Sequence, residues 1–325
     1  MSAILRVGDL HKDFTIKGRG KVNAVNGVSL SVDQGETVGL VGESGSGKTT
    51  LGRCAIHLIA PTSGSTVFMG DDIATYDKKQ MKQFRGNVQI VFQDPYESLN
   101  PRKVVRQIVL DPLVVQGVLD KKARVARVAE VLEMVELTQG HLGKYPVELT
   151  QGEQQRVGIA RAIVTNPKLV ILDEPTSVLD IRFRAEIVLL LRKLQRELGM
   201  AYLFITHDLT VIAELSHRVV VMYLGRIIEE GPTKAVLDTP LHPYTRALLA
   251  AHLFPDPDLK REGVALEGEI PSPIDLPDDR CNLAPRCPWA KPRCRESLPA
   301  QRELRPGHRV ACFEAEHHIE SGIVR

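Results

Sequence analysis

The sequence predicts an α/β fold built on a largely parallel sheet. Short apolar runs at 37–41, 88–92, 168–172 and 202–205 have the length and composition of buried strands. Segments with helical periodicity lie between them, and strands that alternate with helices are typical of a parallel sheet covered on both faces. A chain of 325 residues with 43% hydrophobic content is long enough to bury such a core.

The remaining elements can be placed in chain order. Residues 4–32 alternate apolar and polar side chains around a loop at 18–20, which predicts antiparallel β structure. Residues 48–59 have helical periodicity and stop before Pro61, because a helix rarely continues into a proline. Further helices are predicted within 102–137, 154–163 and 183–198.

The net charge and the lengths of the apolar runs limit the classes of protein to which this chain can belong. The 42 Lys and Arg residues nearly balance the 40 Asp and Glu residues, so no global field favours nucleic acid. No apolar run approaches the roughly 18 residues that cross a bilayer, and the N-terminus lacks the pattern of a secretion signal. We therefore expect a protein of the reducing cytoplasm that does not bind nucleic acid and does not itself span a membrane.

A glycine-rich segment at 42–49 fits the phosphate-binding pattern G-x-x-x-x-G-K-[ST] and lies between a predicted strand and a predicted helix. Glycines let backbone N–H groups converge on phosphate oxygens at a helix N-terminus. Lys48 would reach the β and γ phosphates, and the Thr49 hydroxyl would ligate Mg²⁺. The candidate nucleotide-binding residues of this P-loop are Gly42, Ser44, Gly45, Gly47, Lys48, Thr49 and Thr50.

Two acids end the predicted strand at 168–172. Asp173 would hold Mg²⁺ through water, and Glu174 would polarise a water molecule for attack on the γ-phosphate. Together with the P-loop, these acids indicate nucleotide hydrolysis. On their own they fit a kinase, a GTPase or any P-loop ATPase.

Four further motifs make the chain resemble the ATP-binding cassette family, because they occur in the family's order and at its spacing. They are Gln93, Leu149–Glu153, Ser177–Asp180 and His207. The resemblance covers most of residues 4–254. It implies an α/β nucleotide-binding domain of the P-loop class, with an antiparallel β subdomain and a helical subdomain that carries the signature motif.

The resemblance also implies roles for single residues. Gln93 would contact Mg²⁺ and water, and His207 would bond the γ-phosphate. Asp180 would cross the interface of a cassette dimer. Phe14 matches the aromatic residue that stacks on adenine, although an aromatic side chain on a β segment often serves core packing instead.

The signature motif departs from the family pattern. The family has Leu-Ser-Gly-Gly-Gln where this chain has Leu149-Thr150-Gln151-Gly152-Glu153. In the family, the signature of one cassette closes over the nucleotide of its partner, so Thr150 and Gly152 are candidate nucleotide contacts. Gln151 adds a side chain where the backbone must approach the phosphates closely, and Glu153 adds negative charge near them. These differences predict a heterodimer with unequal nucleotide sites. In the alternative, both substitutions are tolerated and the two sites work equally.

Two segments, 91–101 and 242–249, resemble the oligopeptide and dipeptide importer ATPases. This branch implies a second ATPase, two transmembrane permease subunits and an extracytoplasmic peptide-binding protein. The chain would then lie peripherally on the cytoplasmic face of the inner membrane. Nickel chelates, glutathione-like compounds or sugars remain alternative cargoes, and a soluble ATPase clamp or a nearly silent regulatory subunit remain alternative classes.

Four of the five cysteines fall in the last 45 residues, and clustering of this kind in a cytosolic protein favours metal ligation over disulfides. The resemblance implies a [4Fe–4S] cluster, with zinc or plain thiols as alternatives, and His308, His317 and His318 are expected to be solvated. Cys54 is expected to be a buried apolar residue. The candidate ligands are Cys281, Cys287, Cys294 and Cys312.

We predict two domains. Residues 1–254 would form the nucleotide-binding domain, with its helical subdomain at about 95–165, and residues 255–325 would form a C-terminal extension that carries the four cysteines. Ten of the 20 prolines lie in this extension, which therefore is not expected to fold around a core of its own.

Overall fold

We describe the protein from a computed structural model, which defines residues 3–251 and 264–320. The chain forms two compact units. Unit 1 comprises Met1–Arg6, Ser31–Thr37 and Val67–Ile205, and unit 2 comprises Val7–Leu30, Val38–Thr66 and Thr206–Arg325. The predicted domain boundary after residue 254 lies outside the described residues.

Strands and helices alternate through both units, which confirms the predicted α/β class. The strands are β1 Ala3–Ile16, β2 Gly20–Asp33, β3 Thr37–Val41, β4 Ser63–Phe68, β5 Asp71–Asp72, β6 Val88–Val91, β7 Leu169–Asp173, β8 Ala201–Ile205, β9 Arg218–Tyr223, β10 Arg226–Pro232, β11 Arg302–Arg305 and β12 His308–Val310.

The helices begin after the third strand. They are α1 Lys48–Ala55, α2 Lys78–Asn87, α3 Pro95–Ser98, α4 Val105–Gln116, α5 Lys121–Met134, α6 Gln151–Ile163, α7 Ile181–Leu198, α8 Leu209–Leu215, α9 Thr233–Asp238, α10 Pro243–Ala251, α11 Pro292–Glu296 and α12 Ala315–Glu320. Within the described residues, no helix is both long and apolar enough to cross a membrane.

Unit 1 contains three parallel strands in the order β8-β7-β6, with Leu169 paired to Val88 on one side and to Ala201 on the other. All five residues of β7 are buried, as expected for a strand covered on both faces. Helices α4, α5 and α6 pack against one another, and the apolar face of α6 is buried through Val157 and Ile159. This packing fixes the N-terminus of α6, where the signature motif lies.

Unit 2 contains the strand series β11-β12-β10-β9-β3. Strand β3 runs parallel to β9, with Val38 opposite Arg218, and the hairpin from β9 to β10 continues the sheet. The larger parts of β1, β2 and β4 also belong to this unit, and β1 lies between β2 and β4. The P-loop follows β3, so a buried strand with hydrogen-bonded neighbours anchors it.

Part of the C-terminal extension joins this sheet, because β12 pairs antiparallel with β10 at Glu229 and Val310. Leu241, Val310 and Ala315 form a small buried cluster. Leu241 lies outside the extension, so this cluster joins residues of the extension to the segment that precedes it. The sequence did not reveal β12, since a strand of three residues is too short for a periodic pattern.

Helix α1 ends four residues earlier than predicted. It stops at Ala55, because His57 adopts a left-handed backbone with a φ of 51° that a helix cannot contain. Cys54 is fully buried in this helix, as predicted.

Candidate nucleotide-binding site

The P-loop, which belongs to unit 2, depends on glycines for two different reasons. Gly47 has a φ of 101°, and a Cβ there would overlap the carbonyl oxygen of Ala24 and lie 2.9 Å from the Cε of Met222. Gly45 has a φ of 78°, but a Cβ there would meet no atom within 4 Å. Gly47 therefore allows close packing, whereas Gly45 only satisfies the backbone conformation.

Lys48 lies folded into the P-loop. Its side chain is buried, and its Nζ donates hydrogen bonds of 2.8 Å to the carbonyl oxygens of both Gly42 and Glu43. Ser44 and Gly45 form the exposed crest of the loop, and Thr49 and Thr50 continue into α1. A positive charge thus lies inside the loop that the sequence predicts to bind phosphate.

Glu43 ties the P-loop to two aromatic residues and an arginine of the same unit. Its backbone N–H donates a 2.8 Å hydrogen bond to the Tyr244 hydroxyl. Its carboxylate lies 3.4 Å from the guanidinium of Arg286, which also lies 3.4 Å from the Tyr223 hydroxyl. His207 and Glu43 line one cavity of about 590 Å³. The sequence had suggested no role for Glu43, Tyr223, Tyr244 or Arg286.

In unit 1, the structure brings Gln93 and Glu174 together. The Gln93 Nε2 donates a 3.2 Å hydrogen bond to the Glu174 carboxylate. Glu174 has a φ of 48°, which is rare for a residue other than glycine, and its N–H donates to the carbonyl of Ile205 at 2.9 Å. Asp173 ends β7 fully buried. A strained backbone that neighbouring strands hold in place is common at functional sites.

The signature motif forms a closed helix cap. Thr150 accepts a 3.3 Å hydrogen bond from the Glu153 N–H, and Glu153 accepts one of 2.8 Å from the Thr150 N–H. His141, which the sequence did not single out, lies 3.0 Å from the Glu153 carboxylate. The hydrogen bond from the Thr150 N–H, with help from His141, lowers the pKa of Glu153. Gly152 is buried, whereas Gln151 is exposed.

Two further predicted residues have partners of their own. The Asp180 carboxylate caps α7 by accepting hydrogen bonds of 3.0 and 3.1 Å from the backbone of Arg182 and Phe183. Phe14 is 40% exposed on β1, with the Lys12 Nζ 5.1 Å from its ring centre. Phe14 therefore offers an accessible aromatic surface and is not a core residue.

The predicted site residues divide between the two units. Unit 2 holds Phe14, the P-loop residues 42–50 and His207. Unit 1 holds Gln93, Thr150, Gly152, Asp173, Glu174 and Asp180.

The four C-terminal cysteines line one small cavity in unit 2. The Cys281 N–H donates a 3.1 Å hydrogen bond to the carbonyl of Cys294. Burial raises the pKa of the Cys281 thiol to about 11 and that of the Cys312 thiol to about 12. No group of three or more His, Cys, Asp or Glu side chains within the described residues could hold a metal ion as placed. The thiols share a cavity, but their present positions do not fit a metal or a cluster.

The expectation that the C-terminal histidines are solvated was wrong for two of them. His308 is fully buried, and its Nε2 lies 2.7 Å from the carboxylate of Glu229. His318 is only 3% exposed and packs on Trp289 with the ring centres 4.4 Å apart. His317 is exposed. The error arose because sequence composition does not reveal that the segment around His308 pairs with β10.

Comparison with known proteins shows which family the chain belongs to. A family model described as ABC transporter matches residues 25–177, and one described as oligopeptide/dipeptide transporter, C-terminal region, matches residues 228–294. The putative oligopeptide transport ATP-binding protein YkfD of Bacillus subtilis is 44% identical over 312 residues, which cover 95% of this chain and 94% of YkfD. The chain belongs to the ATP-binding cassette transporter family.

Other relatives agree with this assignment. The oligopeptide transport ATP-binding protein AppF of Bacillus subtilis is 44% identical over 318 residues, covering 95% of this chain and 96% of AppF. A dimeric structure of the ATP-binding cassette MJ0796 in a post-hydrolysis state, bound to ADP and Pi, aligns with a TM-score of 0.64 and 29% identity. It covers 70% of this chain and 98% of MJ0796. This cassette protein is accordingly an ATPase with the mixed α/β cassette fold.

Proposed function

We propose that this cassette ATPase drives the import of peptides across the cytoplasmic membrane. The observation that carries the proposal is the 44% identity, over 95% of the chain, to proteins named for oligopeptide transport. The match of residues 228–294 to an oligopeptide/dipeptide transporter C-terminal region supports it independently of the catalytic motifs. A soluble clamp or a silent regulatory subunit would not account for that match.

We propose that Lys48 leaves the Gly42 and Glu43 carbonyls to contact the β and γ phosphates of ATP. The backbone N–H groups of the P-loop, from Gly42 to Thr50, would surround the phosphates, and Phe14 would stack on adenine. We propose that Thr49 and Gln93 ligate Mg²⁺ and that Asp173 holds the ion through water, because Mg²⁺ is usually bound by few protein ligands together with phosphates and water. When bound, Mg²⁺ neutralises charge on the phosphates.

For hydrolysis, we propose that Glu174 is the base that orients water and that His207 bonds the γ-phosphate. The hydrogen bond between Gln93 and Glu174 supports a shared role, since it would hold the carboxylate until water and Mg²⁺ are in place. The left-handed backbone of Glu174 supports a functional constraint at this residue.

We propose that the signature motif of this chain serves its partner's nucleotide poorly. A helix N-terminus binds phosphate through free N–H groups, but here the side chains of Thr150 and Glu153 cap each other's backbone. The Glu153 carboxylate, with its lowered pKa, adds a negative charge at neutral pH. Gly152 would still allow close approach, and Asp180 would reach across the dimer interface. The complete catalytic site would then be the one that uses this chain's P-loop and Glu174.

The proposed complex contains a second cassette ATPase with an intact signature, two permease subunits and an extracytoplasmic peptide-binding protein. In it, this chain would lie peripherally on the cytoplasmic face of the membrane, with residues 1–254 as the nucleotide-binding domain and the region at about 95–165 as its helical subdomain. Residues 255–325 would form the extension.

The complex reconstituted in proteoliposomes tests both proposals. We expect labelled peptide uptake that requires ATP, and a loss of phosphate release of about 100-fold or more in Glu174→Gln, because a positioned base contributes at least this much. The same substitution in the partner should have a smaller effect. Uptake of a nickel chelate in place of peptide would refute the proposal that the cargo is a peptide. Equal losses from the two substitutions would refute the asymmetry.

We also propose that Cys281, Cys287, Cys294 and Cys312 hold a metal centre, with a [4Fe–4S] cluster ahead of zinc. The supporting observation is that all four thiols line one cavity. Ligation would require the thiols to turn toward a common point and lose their protons. Anaerobic purification followed by iron, sulfide and zinc analysis tests this. A content of one zinc per chain would show that the centre holds zinc and not a cluster. Metal-free protein with four titratable thiols would rule out both the cluster and zinc.

A further inference from the structure

Arg286, in the C-terminal extension, contacts the P-loop. This arginine lies between two of the cysteines, and its side chain is only 10% exposed. Its NH1 lies 3.4 Å from the Glu43 carboxylate, inside the phosphate-binding motif, and 3.4 Å from the Tyr223 hydroxyl. Arg286 is thus buried with its charge directed at the start of the P-loop.

The contact belongs to a closed ring of four residues, in which Glu43 takes part through both its side chain and its backbone. Glu43 donates its backbone N–H to Tyr244 at 2.8 Å. The rings of Tyr244 and Tyr223 pack with centres 4.7 Å apart, and the Tyr223 hydroxyl contacts the Arg286 guanidinium, which closes the ring. Tyr244 is fully buried and Tyr223 is 4% exposed, so the ring has little freedom to rearrange. Removing Arg286 would leave the Glu43 carboxylate without its cationic partner.

The backbone around Arg286 is fixed as well. Its N–H donates to the carbonyl of Leu283 at 2.8 Å, and its carbonyl accepts from the N–H of Glu267 at 3.0 Å. The turn that contains Arg286 begins at Cys281, whose carbonyl accepts a 3.0 Å hydrogen bond from Ala284. The extension therefore presents the guanidinium from a hydrogen-bonded turn.

Glu43 links this ring to the lysine that the proposed function assigns to the phosphates. The carbonyl of Glu43 accepts a 2.8 Å hydrogen bond from the Lys48 Nζ. The peptide groups on either side of Glu43 are therefore held by Tyr244 and by Lys48, and its side chain by Arg286. A change in the side-chain contact would alter the orientation of the carbonyl that holds Lys48.

We propose that Arg286 is a positioning residue, which sets the conformation of the P-loop for ATP through its ion pair with Glu43. The inference rests on the proposed function only in that the P-loop binds ATP. In this proposal Arg286 acts through Glu43 and not by contact with the nucleotide, so its loss should weaken ATP binding and leave the chemical step largely intact.

The test uses the complete transporter complex with Arg286→Met, Glu43→Gln and the double variant. We expect each single variant to raise the KM for ATP about 5- to 30-fold, with kcat at saturating ATP changed less than twofold. Because both substitutions remove the same ion pair, the double variant should resemble either single variant. Direct binding of a fluorescent ATP analogue should weaken in parallel.

Arg293→Met is the matched control. Arg293 lies in the same extension and pairs with Glu314 at 2.6 Å, without contact to the P-loop. We expect this control to keep the KM of the wild type. A KM for ATP that rises equally in the control would show a general effect of a weakened extension and would overturn the proposal. An unchanged KM in Arg286→Met would also overturn it. So would a double variant whose KM rises by the product of the two single effects.

Two further readouts keep the test decisive. If Arg286→Met does not assemble, Glu43→Gln removes the pair from its more exposed end, and an unchanged KM in that variant overturns the proposal. If the wild-type complex binds the ATP analogue but imports no peptide, the proposed cargo fails while the role of Arg286 remains testable by binding. Absence of wild-type binding would overturn both.

Discussion

Replacement of the two P-loop glycines by alanine separates backbone conformation from steric fit. At Gly45, the added Cβ would meet nothing within 4 Å, so the cost comes from the left-handed backbone with its φ of 78°. This conformation costs about 1–2 kcal/mol for a residue with a Cβ. Alanine also reduces the entropy of the unfolded chain, which recovers about 0.4–1 kcal/mol. Gly45→Ala should therefore lower the free energy of unfolding by about 1 kcal/mol.

Gly47→Ala adds a collision to the same conformational cost. The Cβ would overlap the carbonyl oxygen of Ala24 and lie 3.2 Å from its carbonyl carbon, and these atoms belong to a strand that cannot shift freely. Overpacking of this kind costs about 1–3 kcal/mol, and a rigid backbone neighbour favours the upper end. The φ of Gly47 is 101°, which lies beyond the left-handed well. Gly47→Ala should therefore lower the free energy of unfolding by about 3–5 kcal/mol in total.

The assay is urea denaturation of the two variants in parallel, with fluorescence and circular dichroism as probes. We expect a difference of at least about 2 kcal/mol between the variants. A folded Gly45→Ala beside a Gly47→Ala that cannot be purified would agree with this expectation. Equal stabilities would refute the reasoning, because they would show that the contact with Ala24 does not constrain the loop.

The remaining predictions concern a helix cap and two buried residues. Glu153→Gln should lower the stability by about 0.5–1 kcal/mol at pH 7, since the native pKa lies below 4.5 and the carboxylate stabilises the fold when ionised. This difference should disappear as the pH falls below 4.5 through the native pKa, and a pH-independent difference would contradict it. His308→Ala should cost about 2–3 kcal/mol in urea denaturation because it removes a hydrogen bond to the buried Glu229 carboxylate, which then keeps only those from the Leu241 and His242 N–H groups. The exposed His317→Ala is the control, and equal effects would contradict the structural role of His308. Leu172→Ala, in the fully buried β7, should cost about 2–5 kcal/mol by the same measurement, and a loss below about 1 kcal/mol would show that the site is less tightly packed than its burial indicates.

Local patterns predicted the helices and strands that carry the site. The P-loop depends on a run of neighbouring residues, and the strand that ends at Asp173 has five consecutive buried positions, so both were visible in sequence. The end of α1 was misplaced because the left-handed conformation of His57 has no glycine to mark it. The buried positions of His308 and His318 were also missed, since burial there depends on segments far away in sequence.

The sequence by itself determined the class of the fold, the glycine-rich loop at 42–49 and the two acids at 173–174 to which we assign nucleotide binding and hydrolysis, because each is set by neighbouring residues or by a short period. Only the tertiary structure decided that Glu43, Arg286, Tyr223 and Tyr244 form one ring and that His141 supports the cap at Glu153. Arg286 and Glu43 are 243 positions apart, and no local pattern encodes such a contact. It arises because the folded backbone brings two oppositely charged side chains into a site of restricted solvent access, where their attraction is stronger than in water.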